Sequence, residues 1–190
     1  MKIILGSQSK GRKEVMERMG IACSLMCADI DEKSVRRDDV QELTKAIAHA
    51  KADALIPNIK EPAILITADT VVLCNGKIRE KAATPQEAAD FLREYGGHPL
   101  QTVSAVVITN TTTHEQKEGV DIATVWFRPI PEEIIGRMVS RPDILSFAGA
   151  FAFQDSLQAE YIDHFEGEEE SILGLPKALT LKLLNEFGAV

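Results

Sequence analysis

The sequence predicts an α/β fold built on a mixed, twisted sheet with flanking helices. Apolar, β-branched runs alternate with amphipathic helical patterns, Asn75-Gly76 has the composition of a hairpin turn, and 45% of the 190 residues are hydrophobic. Alternating helices and strands favour parallel pairing, whereas a hairpin joins antiparallel strands, so the sheet should be mixed. The length suits one domain over residues 1–190, or two lobes that share one sheet.

The first elements predicted are a strand, a helix and a second strand. The apolar run Lys2–Leu5 leads into a loop over residues 6–12 and then into a helical pattern that Gly20 ends. Residues 21–28 have the pattern of a second strand, and residues 29–39 form a charged loop.

The next helix has the strongest periodicity in the chain. It carries an apolar face, which consists of Val40, Leu43, Ile47, Ala50 and Ala54. Pro57 stops this helix, and Lys51 lies beside the apolar face. Residues 63–73 then form a mostly apolar strand that ends at the hairpin turn.

The second half continues the alternation. Thr84-Pro85-Gln86-Glu87 has the spacing of a capping box and predicts a helix to about Tyr95. The remaining elements are strands over residues 103–109 and 120–127, a helix opened by Pro131, a short strand around residues 161–165, and a last helix after Gly174-Leu175-Pro176. Residues 168–170, all glutamates, are predicted to be a solvated loop.

The composition excludes several classes of protein. A net charge of −8 and a pI near 5.1 argue against a nucleic-acid-binding or membrane-binding surface, which needs a basic footprint. No apolar run is long enough to span a bilayer, and no segment resembles a signal peptide, so we expect a cytoplasmic protein. The three cysteines, an odd number, fit reduced thiols better than a disulfide framework.

The loop after the first strand is a candidate phosphate site. Two glycines, Gly6 and Gly11, allow the backbone to approach an anion, and Ser7 and Ser9 can donate hydrogen bonds or cap the following helix. A helix N-terminus favours negative charge, and Arg12 adds a positive one. The alternative is an ordinary strand-to-helix turn capped by Ser9.

Asp69 is a second candidate, because it interrupts an apolar strand. A carboxylate in that setting is costly to desolvate unless a partner compensates it. The partner could be a metal ion, a lysine or a backbone cap, and Asp69 could equally cap its own turn with Thr70. Glu32, Lys51 and Lys81 are, taken singly, typical solvated charges.

Several motifs occur in a fixed order along the chain. They are Ser-x-Ser-x-x-Arg after the first strand, an acid in the next loop, Ala-x-Ala-Lys-Ala on a helix, Ala-Asp-Thr-Val-Val on a strand, a following lysine, Ala-Gly-Ala-Phe-Ala-Phe-Gln, and Gly-Leu-Pro before the last helix. Taken together, these segments resemble the Maf family of nucleoside triphosphate pyrophosphatases, also called septum formation inhibitor proteins. The resemblance runs from Ile3 to about Leu184. Each motif alone is weak, but their order is specific.

The resemblance implies two lobes around a cleft, as in the inosine triphosphate pyrophosphatases, and hydrolysis of a nucleoside triphosphate with Mg²⁺ or Mn²⁺. From the acidic composition we expect no nucleic-acid or membrane partner, and a homodimer is left open. The implied roles are catalysis for Asp69, Lys51 and Lys81, phosphate binding for Ser7, Ser9 and Arg12, base specificity for Gly11, Thr70 and Gln154, and metal binding for Glu32 and Asp69.

Departures from the family pattern concern the base. The family loop usually reads Ser-Pro-Arg-Arg, whereas here Gly11 replaces an arginine associated with base choice, so restoring arginine there is expected to sharpen selectivity. Without a gap in the alignment, no histidine of this chain matches the family histidine, and Ser104 stands where the family has a threonine. Aligning His98 with the family histidine needs a gap. Thr70 and Gln154 resemble the dTTP/UTP branch of the family and favour dTTP or UTP as substrate. The role that the resemblance implies is house-cleaning of nucleotides or growth arrest. The alternatives are a pyrophosphatase for a modified purine such as 7-methyl-GTP, and a non-catalytic nucleotide-binding regulator of cell division.

Overall fold

A computed structural model describes the whole chain, Met1–Val190. The strands are β1 Lys2–Leu5, β2 Ser24–Leu25, β3 Ala63–Cys74, β4 Lys77–Arg79, β5 Leu100–Asn110, β6 Gln116–Phe127 and β7 Ile162–Glu166. The helices are α1 Lys10–Arg18, α2 Val40–Leu55, α3 Pro85–Tyr95, α4 Glu132–Val139, α5 Ser156–Ala159, α6 Glu169–Ile172 and α7 Lys177–Asn185. Short 3₁₀ turns occur at Glu32–Ser34, Ile56–Asn58 and Ile144–Ser146.

The seven strands form one mixed sheet, as the sequence predicts. The strand order is β2-β1-β3-β5-β6-β7, and β4 pairs with β3. Strand β1 is parallel to both β2 and β3, whereas the β3/β4 and β6/β7 pairs are antiparallel. Asn75 and Gly76 adopt φ values of 50° and 69°, which confirms the predicted hairpin turn between β3 and β4.

Side-chain hydrogen bonds cap the N-termini of α2 and α3, which start where the sequence predicts. The Asp39 carboxylate accepts from the backbone N–H groups of Gln41 and Glu42, both at 2.9 Å, and caps α2. The Thr84 hydroxyl accepts from the N–H of Glu87 at 3.1 Å, as expected for the capping box before α3. Caps of this kind contribute about 1 kcal/mol each to helix stability.

The chain divides into two compact units, and the first contains residues 1–70, 103–121 and 168–190. In this unit β3 alternates between two helical layers. Ile64 and Ile66 pack with Val15 of α1 and Leu183 of α7. On the opposite face Leu65 packs with α2, and the Thr67 hydroxyl donates to the Ala48 carbonyl of α2 at 2.9 Å.

This alternation separates the two polar residues that end the buried part of β3. Because side chains along a strand point to opposite faces in turn, Asp69 continues the row that faces α2, and Thr70 continues the row that faces α1. The hydrogen bonds agree, since Asp69 contacts Lys51 of α2 and Thr70 contacts Arg12 of α1.

The second unit contains residues 71–102 and 122–167. Tyr95 of α3 stacks on Phe127 of β6, with ring centroids 5.8 Å apart, and Phe127 meets Phe151 edge to face at 5.9 Å. Arg79 forms an ion pair with Glu94 and lies over the Phe91 ring, 5.1 Å from its centroid. Aromatic packing and a shielded ion pair therefore join α3, β4 and β6 within this unit.

Two predicted elements differ from the structure. The strand expected over residues 21–28 has only two paired residues, Ser24 and Leu25. Both side chains are exposed, so burial does not favour a longer strand. The loop expected over residues 168–170 is the start of α6. There the Glu168 carboxylate accepts from the N–H of Ala178 at 3.0 Å, and Glu169 pairs with Arg18.

Candidate functional site

The loop between β1 and α1 is tightly folded around its serines. Ser7 is buried, and its hydroxyl accepts from the N–H of Ser9 at 3.1 Å. Ser9 accepts from the N–H of Arg12 at 3.4 Å and caps α1. No acidic residue occupies the first turn of α1, so the positive end of this helix carries no neutralising side chain there. Both the predicted phosphate loop and the predicted cap fit these contacts.

The Arg12 guanidinium is held on three sides. Its Nε donates to the Gly174 carbonyl at 2.9 Å, Nη1 to the Ser7 hydroxyl at 3.3 Å, and Nη2 to the Thr70 hydroxyl at 3.2 Å. Desolvation lowers the pKa of Arg12, and the nearby Asp69 and Glu32 carboxylates oppose that shift. Arginine keeps its proton at any physiological pH, so the loop presents a positive charge of fixed orientation.

Thr70 belongs to this support for Arg12. Its hydroxyl also shares a hydrogen bond with Ser104 of β5 at 3.0 Å, and Ser104 donates to the Ser171 carbonyl at 3.1 Å. Ser104 is fully buried. The Thr70 hydroxyl, which the sequence suggests for reading a base, is thus engaged with two protein side chains, and its part in base choice stays a prediction.

Two glycines allow the close approach around Arg12. Gly174 has a φ of 93°, and a Cβ there would lie 3.0 Å from the Thr70 hydroxyl and 3.4 Å from Arg12 Nε. A Cβ on Gly11 would lie 2.8 Å from the Leu173 carbonyl oxygen. Gly11 therefore has a steric role, and an arginine at this position would have to displace the backbone of Leu173. This contact argues against the expectation that arginine at position 11 simply restores selectivity.

Asp69 and Glu32 converge on one ammonium group. Lys51 Nζ lies 2.7 Å from Asp69 Oδ1 and 2.8 Å from Glu32 Oε1, and it donates to the Ala68 carbonyl at 3.4 Å. Lys51 is 8% exposed and Asp69 is 5% exposed, whereas Glu32 reaches in from an exposed 3₁₀ turn. Of the three partners left open for Asp69, the structure provides the lysine.

The two carboxylates also define where a cation could bind. No group of three or more His, Cys, Asp or Glu side chains in the chain is arranged to hold a metal ion. A site for Mg²⁺ commonly needs only one or two carboxylates, because substrate phosphates and water complete the coordination. Glu32 and Asp69, which meet at Lys51 Nζ, have the donor chemistry for such a site.

Lys81 and Gln154 belong to the second unit, and both are exposed. Lys81 pairs through its backbone with Ala148 in an isolated antiparallel bridge. The preceding carbonyl, from Glu80, accepts from the N–H of Gly149 at 2.9 Å. His98, for which the sequence predicts no role, is an exposed residue after α3 whose carbonyl faces the Cys74 thiol at 3.9 Å.

Comparison with known proteins identifies the family. A family model described as Maf-like protein matches residues 2–187. The chain belongs to the Maf-like protein family.

Named relatives cover nearly the whole of this Maf-like chain. It is 41% identical over 191 residues to a protein of Dictyostelium discoideum named 7-methyl-GTP pyrophosphatase, with 97% of this chain and 96% of that protein covered. It is 33% identical over 187 residues to a Bacillus velezensis protein named dTTP/UTP pyrophosphatase, with coverage of 98% and 96%. A solved nucleoside-triphosphatase / dITP/XTP pyrophosphatase of Mycobacterium abscessus aligns with a TM-score of 0.40 at 13% identity, over 69% of this chain and 75% of that one.

In this Maf-like chain the predicted residues of the first unit form two groups. Ser7, Ser9, Arg12 and Thr70 are joined by hydrogen bonds, and Glu32, Lys51 and Asp69 are joined by ion pairs. Sequence reasoning did not assign Ser104 or Gly174 to the site. A serine between the apolar residues Val103 and Ala105 of β5 is a usable signal for Ser104, because a buried hydroxyl needs a partner.

Proposed function

We propose that this chain hydrolyses a nucleoside triphosphate to the monophosphate and pyrophosphate. The observation that carries this proposal is the buried Asp69 carboxylate, which lies 2.7 Å from Lys51 Nζ in the same unit as the clamped Arg12. A charged pair this well buried is costly to maintain for stability alone. Relatives that cover almost the whole chain are named as nucleotide pyrophosphatases.

The proposed reaction is an in-line displacement at the α-phosphorus. Asp69 orients a water molecule and accepts its proton as the new oxygen–phosphorus bond forms. The bond between the α-phosphorus and the bridging oxygen to the β-phosphate breaks, and pyrophosphate leaves with that oxygen. Arg12 and Lys51 neutralise phosphate charge, the N–H groups at the start of α1 bind phosphate oxygens, and Lys81 is proposed to add a further cation.

We propose that Glu32 and Asp69 together hold a divalent cation, Mg²⁺ or Mn²⁺, when substrate is bound. Such an ion would neutralise charge on the phosphate oxygens of the substrate. The support is that both carboxylates already reach a single positive charge, that of Lys51, at 2.8 Å and 2.7 Å. Lys51 would then keep the Asp69 side chain oriented by the hydrogen bond that it makes.

For the base, we propose a modified purine of the 7-methyl-GTP type. The support is the 41% identity to the Dictyostelium relative with that name, against 33% to the dTTP/UTP relative. Thr70, one of the residues that suggested a pyrimidine, directs its hydroxyl to Arg12 and Ser104. The second candidate is dTTP or UTP, which the exposed Gln154 and the names of the relatives at about 30% identity favour.

The experiment is a panel of triphosphates with identified products. We expect 7-methyl-GTP to show the highest kcat/KM, pyrophosphate and the monophosphate to be the products by ³¹P NMR, and turnover to stop in EDTA and return with Mg²⁺ or Mn²⁺. Orthophosphate and a diphosphate as first products would contradict the reaction. A higher kcat/KM with dTTP or UTP than with 7-methyl-GTP would favour the second candidate substrate instead. Nucleotide binding without turnover would support a regulator instead.

The proposed setting is a reducing one, such as the cytoplasm. The support is that all three cysteines are free thiols. No helix has the length and apolar character needed to cross a membrane. A homodimer stays a prediction, which light scattering would test.

A further inference from the structure

A strained turn in the second unit lies between two residues of the proposed site. The turn, residues 148–152, contains consecutive left-handed residues, Gly149 with φ of 62° and Ala150 with φ of 51°. Glycine adopts this conformation freely, but for alanine it is unfavourable because the Cβ crowds the following carbonyl oxygen. Strain of this kind persists only where surrounding contacts fix the backbone, and it is concentrated at functional positions.

Tyr95 provides the first of those contacts. Its side chain is 1% exposed, and its hydroxyl donates to the Gly149 carbonyl at 2.6 Å. A Cβ on Gly149 would lie 2.6 Å from that hydroxyl and 2.9 Å from Val72 Cγ1, so the turn is closely packed as well as hydrogen-bonded. Burial raises the pKa of Tyr95, which keeps the hydroxyl protonated and able to donate throughout the physiological range.

Gln158 provides the second contact. It is fully buried, and both ends of its amide bind the turn. Nε2 donates to the Ala150 carbonyl at 2.9 Å, and Oε1 accepts from the N–H of Ala152 at 3.0 Å. The amide therefore satisfies the backbone on both sides of Phe151, whose ring packs edge to face against Phe127 and Phe153.

The turn that these side chains hold is connected to Lys81 on one side and leads to Gln154 on the other. Ala148 forms the backbone bridge to Lys81, and the N–H of Gly149 donates to the Glu80 carbonyl at 2.9 Å. Two residues after Ala152 the chain reaches Gln154. Lys81 and Gln154 are both exposed, and the contacts of the turn fix the backbone from which the two side chains extend.

We infer that Tyr95 and Gln158 are positioning residues, which hold the turn at residues 148–152 so that Lys81 and Gln154 are presented to the nucleotide. This inference rests on the proposed pyrophosphatase function. Neither residue touches substrate in this scheme, and each acts through the backbone to which it is hydrogen-bonded. Substrate discrimination and phosphate binding by the second unit then depend on one turn.

The first test is a double-mutant cycle between Tyr95→Phe and Lys81→Ala. Tyr95→Phe keeps the ring that stacks on Phe127 and removes only the hydroxyl, so the variant should fold. In the parent chain we expect kcat/KM to fall about tenfold, mainly through a higher KM, because the backbone of Lys81 is then less well held in place. In the Lys81→Ala background the same substitution should change kcat/KM by less than about twofold, because coupled residues are not additive.

The matched control is Tyr161→Phe, which removes the hydroxyl of the only other tyrosine in the chain, outside the turn. We expect it to leave kcat and KM unchanged. An equal loss from Tyr95→Phe in both backgrounds would mean that Tyr95 contributes to stability alone, and this would overturn the inference. No effect of Tyr95→Phe in an active parent chain would overturn it as well.

The second test addresses Gln154 through Gln158→Met, which conserves the shape and removes both hydrogen-bonding groups. We expect the ratio of kcat/KM between 7-methyl-GTP and UTP to move toward one, and to move no further when Gln154→Ala is added. The control is Gln86→Met on the exposed face of α3. Should Gln158→Met fail to fold, the Tyr95→Phe cycle alone decides.

Failure of the inference is separable from failure of the proposed function. A parent chain that turns over no triphosphate overturns the proposed function and this inference with it. A parent chain that is active, with Tyr95→Phe and Gln158→Met acting independently of Lys81 and Gln154, overturns the inference alone.

Discussion

The two units place their functional side chains in opposite ways. In the first unit, Lys51 and Asp69 are buried and bind each other directly, and Arg12 is held by three acceptors. In the second unit, Lys81 and Gln154 are exposed, and the structure fixes the backbone from which they extend. A substitution among Arg12, Lys51 and Asp69 therefore leaves a charged group without its partner. A substitution of a residue that holds the backbone of Lys81 or Gln154 only makes that backbone less well fixed. Effects should be large in the first case and moderate in the second.

The largest effect is expected from Asp69→Asn. The change keeps the size of the side chain, and Lys51 retains the Glu32 carboxylate at 2.8 Å, so the fold should survive. Loss of the carboxylate that accepts the proton should lower kcat at least about a thousandfold, which corresponds to about 4 kcal/mol of barrier. Steady-state kinetics and circular dichroism on the same preparation measure both parts.

The matched control for Asp69→Asn is Asp53→Asn, since Asp53 is an exposed residue of α2. It should behave as the parent chain does. Activity of Asp69→Asn within about tenfold of the parent, only about 1.4 kcal/mol, would remove Asp69 from the catalytic step.

Thr70→Val tests whether the support of Arg12 sets phosphate affinity. The hydroxyl accepts from Arg12 Nη2 at 3.2 Å and bonds to Ser104 at 3.0 Å, and both contacts are lost. A hydrogen bond to a charged group is worth about 1.5–3 kcal/mol, so KM should rise about tenfold for every triphosphate, with a smaller change in kcat.

Thr44→Val is the control for this change, because the buried Thr44 hydroxyl bonds only to carbonyls of its own helix, Val40 and Gln41. If Thr70→Val instead changed the ranking of bases and left phosphate affinity alone, Thr70 would be a base-reading residue, as the sequence resemblance implies.

The smallest effect is expected at an exposed ion pair of the first unit. Hydrogen bonding from His49 lowers the pKa of Glu118 below its ordinary value of 4.5, with Lys45 adding to the shift. A lowered carboxyl pKa stabilises the fold above pH 4.5, and this contribution is lost as the pH falls through the folded-state pKa. Because Glu118 is 40% exposed, Glu118→Gln should cost no more than about 0.5 kcal/mol at pH 7.

Thermal unfolding of Glu118→Gln and the parent chain at pH 7 and pH 3 checks this expectation. The difference in Tm should be small at pH 7 and smaller still at pH 3. A difference that grows on acidification would show that the sign is wrong, and a large difference at pH 7 would show that exposed charges matter here as much as buried ones.

Local chemistry was enough to predict much of the scaffold and part of the site. The caps at Ser9 and Thr84 and the hairpin at Asn75-Gly76 depend on residues within three positions of each other, so the sequence carries their signal. The same holds for Asp69, because a carboxylate in an apolar strand requires a partner wherever the chain folds. Helical periodicity placed Lys51 beside the buried face of α2, where it meets that need.

Only the tertiary structure decided which groups hold the site in place. Arg12 binds the carbonyl of Gly174, 162 residues away, and Tyr95 binds that of Gly149, 54 residues away. Backbone carbonyls are present at every position, so no residue pattern marks the ones that will be used. The strand expected over residues 21–28 was too long for a different reason, because only Ser24 and Leu25 pair with β1 and both side chains are exposed. Interactions between residues close in sequence can therefore be predicted from the sequence. Hydrogen bonds to backbone carbonyls far along the chain are decided only by the tertiary structure.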